Sequence, residues 1–194
     1  MTQLTKGKGG RGARQRILDA AAELFYRDGI NATGVERLAT ESSVSKRTLY
    51  QHFPSKEAVV EAYLRNMEPR VADPLQPGAQ GADQTPRERL LALFQGPTAL
   101  RAPLRGCPFH NAAVEAAGSM PGVQEIVRAN KHNFIDALTR LASQAGAVDP
   151  QLLAHQLAVL YEGAASLATS LDDPSPWARA RAAAQTLIDQ ALAE

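Results

Sequence analysis

Hydrophobic positions recur at helical spacing along most of this chain, with no sustained two-residue alternation rich in Val, Ile and aromatic residues. The pattern predicts an all-α protein of about nine helices. Ile17, Ala20, Ala21, Leu24 and Phe25 mark one face of a first helix over Arg11–Asp28, and Gly29 is placed to end it in a left-handed cap. Thr33 followed by Glu36 has capping-box spacing ahead of a second helix near Val35–Ser42. Ser45 and Ser55 stand where they cap a third helix near Lys46–His52 and a fourth from Lys56 to about Glu68.

Pro69, Pro74, Pro77 and the glycines from Gly78 onward then interrupt the pattern, and Val71–Gln84 reads as a loop. Thr85-Pro86-Arg87-Glu88 opens a fifth helix through about Gln95, and a sixth spans about Pro108–Ala117. A long seventh helix over Val123–Ala145 is stopped by Gly146. Asp149-Pro150 and Ser175-Pro176 each pair a cap with a first-turn proline and open the eighth and ninth.

Composition narrows the class. At 194 residues, 44% hydrophobic and 21% charged, the chain can bury a real core, and no apolar run approaches the ~20 residues of a membrane span. Its basic beginning, MTQLTKGKGGRGARQR, leads into no signal-type apolar segment, and the single cysteine, Cys107, makes no intramolecular disulfide. A cytoplasmic protein is expected, with no membrane partner. Net charge is +1, yet residues 1–56 carry ten Lys/Arg against five Asp/Glu, so they stand at +5 and the remainder at −4. Such a basic head on an acidic body fits a polyanion meeting the head alone.

The head has the parts for that meeting. Val35, Leu38, Ala39, Val44, Leu49 and Phe53 would pack the second and third helices on Ile17, Leu24 and Phe25. Two short helices and a tight turn on an apolar platform are how a protein offers one helix to the DNA major groove. Outward on the third helix and its flanks stand Ser45, Lys46, Arg47, Thr48, Tyr50, Gln51 and His52, hydrogen-bonding side chains with almost no carboxylates. Thr33 and Lys56 complete the DNA-binding candidates. Arg47 suits guanine O6/N7 and the Thr48 methyl a thymine methyl, while Tyr50, His52 and Lys56 suit phosphates. A helical hairpin used for protein contacts is the plainer alternative, and the coincidence of charge with motif speaks against it.

VSKRTLYQHFPSKEAVV resembles the signature of TetR/AcrR-type regulators, in which a Val-Ser pair enters the recognition helix and Leu-Tyr-x-x-Phe ends it. The resemblance covers about Arg14–Leu64. It departs at the tight turn, often Ala-Gly in the family and Ser42-Ser43 here; a non-Gly residue in a left-handed turn costs ~1 kcal/mol.

Leu153, Leu157, Leu160, Ala164, Leu167 and Leu171 repeat on the eighth helix at a 3.5-residue period, and Trp177, Ala180, Ala184, Leu187 and Ala191 continue it on the ninth. These stripes either form a dimer interface, half of an antiparallel bundle completed by a second copy, or face the subunit's own core. One small reading helix specifies too little DNA alone, which favours a homodimer on palindromic double-stranded DNA. The resemblance implies the same, with dimerisation through the last two helices.

The resemblance also implies a small-molecule pocket in the middle of the chain. Candidate liners are Tyr63, Met67, Phe94, Phe109, Phe134 and Tyr161, joined by His110, Asn111 and Glu162. Any one of the aromatics reads equally as plain core, and Asn111 and Glu162 as solvent-facing. Cys107, near a helix start beside Arg105 and ahead of His110, reads as an inert or pocket-lining residue or as a thiol that answers electrophiles or oxidants. A Gly-Cys-x-x-x-Asn sequence is similar to that of some TetR-like subgroups at the pocket entrance.

Nothing here reads as an enzyme, metal site or cofactor site. His52, His110, His132 and His155 are scattered, and Cys107/His110 lacks an orienting acid and an oxyanion loop. The expectation is a ligand-responsive transcriptional regulator, a repressor released from a palindromic operator by a largely apolar effector. Residues 1–56 would be the arm and DNA-binding head, and 57–194 the effector-binding and dimerisation body. The alternatives are a DNA-binding regulator without effector and a thiol sensor working through Cys107.

Overall fold

The computed structural model describes residues 11–71, 84–96 and 105–193; the expected basic arm over 1–10 and most of the Val71–Gln84 loop lie outside the described residues. Among the described residues there are nine α-helices and no strand: α1 Arg11–Asp28, α2 Val35–Glu41, α3 Lys46–His52, α4 Lys56–Val71, α5 Pro86–Ala92, α6 Pro108–Glu115, α7 Pro121–Gln144, α8 Pro150–Leu171 and α9 Ser175–Leu192. A 3-10 turn, Leu93–Gln95, follows α5. The all-α expectation holds.

The chain forms two compact units, Met1–Asn66 with Asn111–Ile126, and Met67–His110 with Val127–Glu194. Packing defines these units, and none of their boundaries falls at residue 56.

In the first unit, α1 packs on both α2 and α3. Ile17, Ala21, Leu24 and Phe25 of α1 are buried with Leu38 and Ala39 of α2, Leu49 of α3 and Val59, Val60 and Leu64 of α4. The predicted capping box at Thr33–Glu36 does not form. Gly34 is the N-cap of α2 and makes no side-chain cap bond, while Thr33 is fully buried and its hydroxyl donates to the Gly29 carbonyl at 2.8 Å. Glu36 turns instead to Lys46. Between α2 and α3, Ser43 adopts φ +52, the left-handed conformation expected of this turn. Ser42 is buried and donates its hydroxyl to the Leu38 carbonyl, and Arg16 Nε donates to the Ser42 carbonyl at 3.0 Å. These bonds satisfy the end of α2 and hold the turn against α1.

Residues 111–126 join this unit from far along the chain. The Gly122 N–H donates to the Glu57 carboxylate at 3.2 Å, placing negative charge at the start of α7. A Cβ added at Gly122 would stand 2.3 Å from a Glu61 carboxylate oxygen, so the end of the Glu61 side chain would have to shift.

The second unit is built on the α8–α9 pair, with α5 and its 3-10 turn against α9. Arg181 donates to the Leu91 carbonyl at 2.7 Å, satisfying α5 where it tightens into the turn. Thr85 and Glu88 form the predicted capping box, and Asp149 caps α8 as expected. Ser175 does not cap α9: its N–H and hydroxyl both donate to Asp173.

The two predicted dimer stripes meet a correction. Leu153, Leu157 and Ala164 of α8 and Trp177, Ala180 and Ala184 of α9 are 0–8% exposed in a single subunit and belong to its own core. Leu160 and Leu187 pack partly buried against the same cluster, and Ile188 is the fully buried residue at that turn of α9. Small residues bring α8 and α9 together within one chain, so these side chains have little surface left for a second copy. Of the stripe, Leu167 and Leu171 remain exposed, together with Leu152 and Val159, which lie off it.

Candidate functional site

α3 is a seven-residue helix held on three sides. Leu49 is buried beneath it, and the Ser45 hydroxyl accepts the Thr48 N–H at 3.0 Å at its start. At its end Phe53 is buried, with the Arg14 guanidinium 5.2 Å above the ring centre. A short helix has little stability of its own, so this frame is what fixes its angle.

The polar face divides by what each side chain already engages. Ser45 Oγ lies 2.8 Å from Thr48 Oγ1, so both hydroxyls belong to the cap, and Thr48 is half-buried. Lys46 is exposed but pairs with Glu36 at 2.5 Å, and this bond raises the lysine pKa and lowers that of the glutamate. Arg47, Tyr50 and Gln51 are exposed, and His52 is half-buried. Lys56, at the start of α4, is half-buried; burial pulls its ammonium below the usual lysine range, opposed by attraction to Glu115. Thr33, a DNA-binding candidate, is corrected: its buried hydroxyl already serves Gly29, leaving nothing to offer a nucleic acid. The sequence marks Glu36 only as a helix cap and gives no sign of Arg14 over Phe53. Neither lies on α3, and no periodic signal links Glu36 to a lysine ten residues on.

The ligand candidates fall in both units. Tyr63 and Asn111 lie in the first; the Tyr63 ring meets Phe25 edge-on at 5.6 Å and is buried, a core role, while Asn111 is half-buried. In the second, Tyr161 is the centre of a ring cluster, with Trp177 at 5.1 Å, Phe134 at 5.2 Å and Phe94 at 6.3 Å. Phe94 and Phe109 are fully buried, Met67 is half-buried and His110 is exposed. Beside the rings Lys131 Nζ bonds Glu162 at 2.5 Å and stands 3.6 Å from Cys107 Sγ, and all three residues are half-buried. Lys131 also lay outside the candidate set. Burial, then the nearby Cys107 and Glu162, push the Tyr161 hydroxyl up to about 12. Among the described residues no group of three His, Cys, Asp or Glu is placed to hold a metal, and no helix is long and apolar enough to cross a membrane.

Residues 17–63 match the profile for bacterial regulatory proteins of the tetR family, and residues 86–184, half of the chain, match the tetracyclin repressor-like C-terminal domain. The chain belongs to the TetR family. As a TetR-family protein it stands among transcriptional regulators, not enzymes. The HTH-type transcriptional repressor KstR2 of Rhodococcus jostii is 44% identical over 61 residues, 31% of this chain and 29% of KstR2. The HTH-type transcriptional regulator Rv1255c of Mycobacterium tuberculosis is 30% identical over 138 residues, 65% of this chain and 63% of that protein. The chain thus spans less than a third of the one relative and under two thirds of the other. The crystal structure of the TetR regulator sav143 from Streptomyces avermitilis superposes with a TM-score of 0.77 at 30% identity, over 92% of this chain and 97% of that one. For this TetR-family chain the first profile falls on the α1–α4 frame around α3 and the second on the helices from α5 to α9.

Proposed function

We propose that this TetR-family chain is a homodimeric transcriptional repressor that holds a palindromic operator and releases it when a small, largely apolar effector binds. The observation that carries this reading is α3, a polar helix with exposed Arg47, Tyr50 and Gln51, held in place by Leu49, Ser45 and Phe53. Residues 1–56 read DNA and residues 57–194 carry the effector and dimer roles, in the cytoplasm.

The surface assigned to the second copy is the outer side of α8. Leu152, Val159, Leu167 and Leu171 are 55–73% exposed there, and around Gly163 nothing lies within reach of an added Cβ. A row of large apolar side chains in water marks an interface rather than a solvated face. The Tyr161 ring cluster, edged by Cys107 and the Lys131–Glu162 pair, supports an effector site there: apolar rings with a few polar groups beside them. Binding that favours one state of the dimer shifts its population away from the operator-competent one.

The test is a duplex selected by the purified protein, then screened with small molecules for release. A compound that dissolves the specific complex, and does so less well on Phe134→Ala, supports the reading. Affinity indifferent to DNA sequence sinks it.

The Lys131–Cys107 approach of 3.6 Å favours a second reading, in which Cys107 is the reactive thiol of an oxidant or electrophile sensor. Cys107→Ser distinguishes the two: the apolar-effector reading keeps its release, the thiol reading loses it.

A further inference from the structure

The operator-binding function leaves open which side chains of α3 read bases. Base-edge reading is strongest from groups that make two hydrogen bonds in one plane: a guanidinium on guanine O6 and N7, a carboxamide on adenine N6 and N7. α3 carries one of each, Arg47 and Gln51. Both are exposed, and neither engages another described residue. Of their neighbours, the Ser45 and Thr48 hydroxyls serve the cap and Lys46 pairs with Glu36, while the exposed Tyr50 offers a single hydroxyl and no planar pair of hydrogen-bonding groups.

Spacing adds a second constraint. Residues four apart stand on one face of a helix and about 6 Å apart along its axis. Stacked base pairs rise ~3.4 Å, so the two side chains reach base pairs roughly two steps apart. We propose, on the operator-binding reading above, that Arg47 and Gln51 are the specificity-determining residues. In each half-site Arg47 reads a G·C pair through guanine and Gln51 an A·T pair through adenine, with a single base pair between them. Lys46, partly neutralised by Glu36, contributes charge to the phosphates and no base preference.

Selection from a random duplex pool by the full chain tests this. The natural protein should enrich a twofold motif whose half-sites hold a G·C and an A·T pair separated by one pair. Arg47→Ala should lose the G·C preference alone and Gln51→Ala the A·T preference alone, each by about tenfold or more. Gln51→Glu should exchange adenine for cytosine at the same position, because a carboxylate accepts from cytosine N4. Lys46→Ala should weaken every sequence alike and leave the motif in place. Melting curves first establish that each variant folds. A motif without these pairs overturns the assignment, as does one unchanged by Arg47→Ala and Gln51→Ala, or one altered at a base by Lys46→Ala. A pool that enriches no motif overturns the operator-binding function, and this assignment with it.

Discussion

The Glu115 carboxylate accepts the main-chain N–H of Asn31 at 2.8 Å, and the Asn31 amide returns a bond to the Glu115 carbonyl at 3.0 Å. These residues are 84 apart in sequence, and their pairing ties the end of α6 to the α1–α2 loop inside the first unit. Gly29 makes room for it: its φ is +98, and a Cβ there would stand 3.1 Å from the same carboxylate. Gly29→Ala therefore meets both backbone strain and crowding, and should lower stability by about 1–2 kcal/mol. Glu115→Ala should cost about 1–2 kcal/mol through the lost charge-assisted bond. Urea denaturation of both variants checks this; unchanged midpoints would mean that the tie contributes nothing.

The α2–α3 turn is open to improvement. Ser43 sits at φ +52, where a side chain costs about 1–2 kcal/mol. Glycine removes that strain but adds freedom to the unfolded chain, which takes back about 0.4–1 kcal/mol. Ser43→Gly should gain a net ~0.5 kcal/mol by those terms, read as a small rise in melting temperature. A fall would show that another interaction of Ser43 outweighs the strain.

Two leucines of α8 should respond to substitution in opposite ways. Leu153 is 1% exposed and Leu167 is 55% exposed. Leu153→Ala should destabilise the fold by about 2–5 kcal/mol. Leu167→Asp should leave the subunit folded and sediment as a monomer, because the charge falls on the surface assigned to the second copy. Sedimentation and denaturation together separate the cases, and a Leu167→Asp dimer would remove this face from the interface.

Tyr161 should titrate well above an ordinary tyrosine, because burial first, then Cys107 and Glu162, hold its hydroxyl near 12. The folded pKa lies above the unfolded value of about 10. The stability linked to this neutral phenol is therefore full below pH ~10 and is lost as pH rises through about 12. Tyrosinate absorbance against pH reads it directly, and Tyr161→Phe should remove one tyrosine's worth of the change near pH 12. A change near pH 12 of the same size in Tyr161→Phe contradicts the assignment.

Features set by neighbours in the chain were legible in the sequence. Ser45, Ser55, Asp149 and the Thr85–Glu88 box cap as their local patterns predict. Thr33–Glu36 carries the same spacing and fails, because Gly29 and Lys46 take its two side chains from outside the helix. The α8 stripe was legible as apolar, but its period leaves open which neighbour covers each residue. Leu153 and Leu157 have the same period whether a core or a partner covers them, and only the packed α9 distinguishes the two. Nothing local to Glu115 or Asn31 announces their meeting, so the docking of residues 111–126 in the first unit had no signal to read.

The most direct test is affinity and stoichiometry on a selected inverted-repeat duplex, compared with the same duplex carrying about five extra base pairs between its half-sites. That insertion turns one half-site to the opposite face of the double helix. Two α3 helices fixed in one dimer predict two chains per original duplex, and affinity falling to that for unrelated DNA in the lengthened one. Equal binding to both duplexes, or to any duplex of that length, would contradict the account.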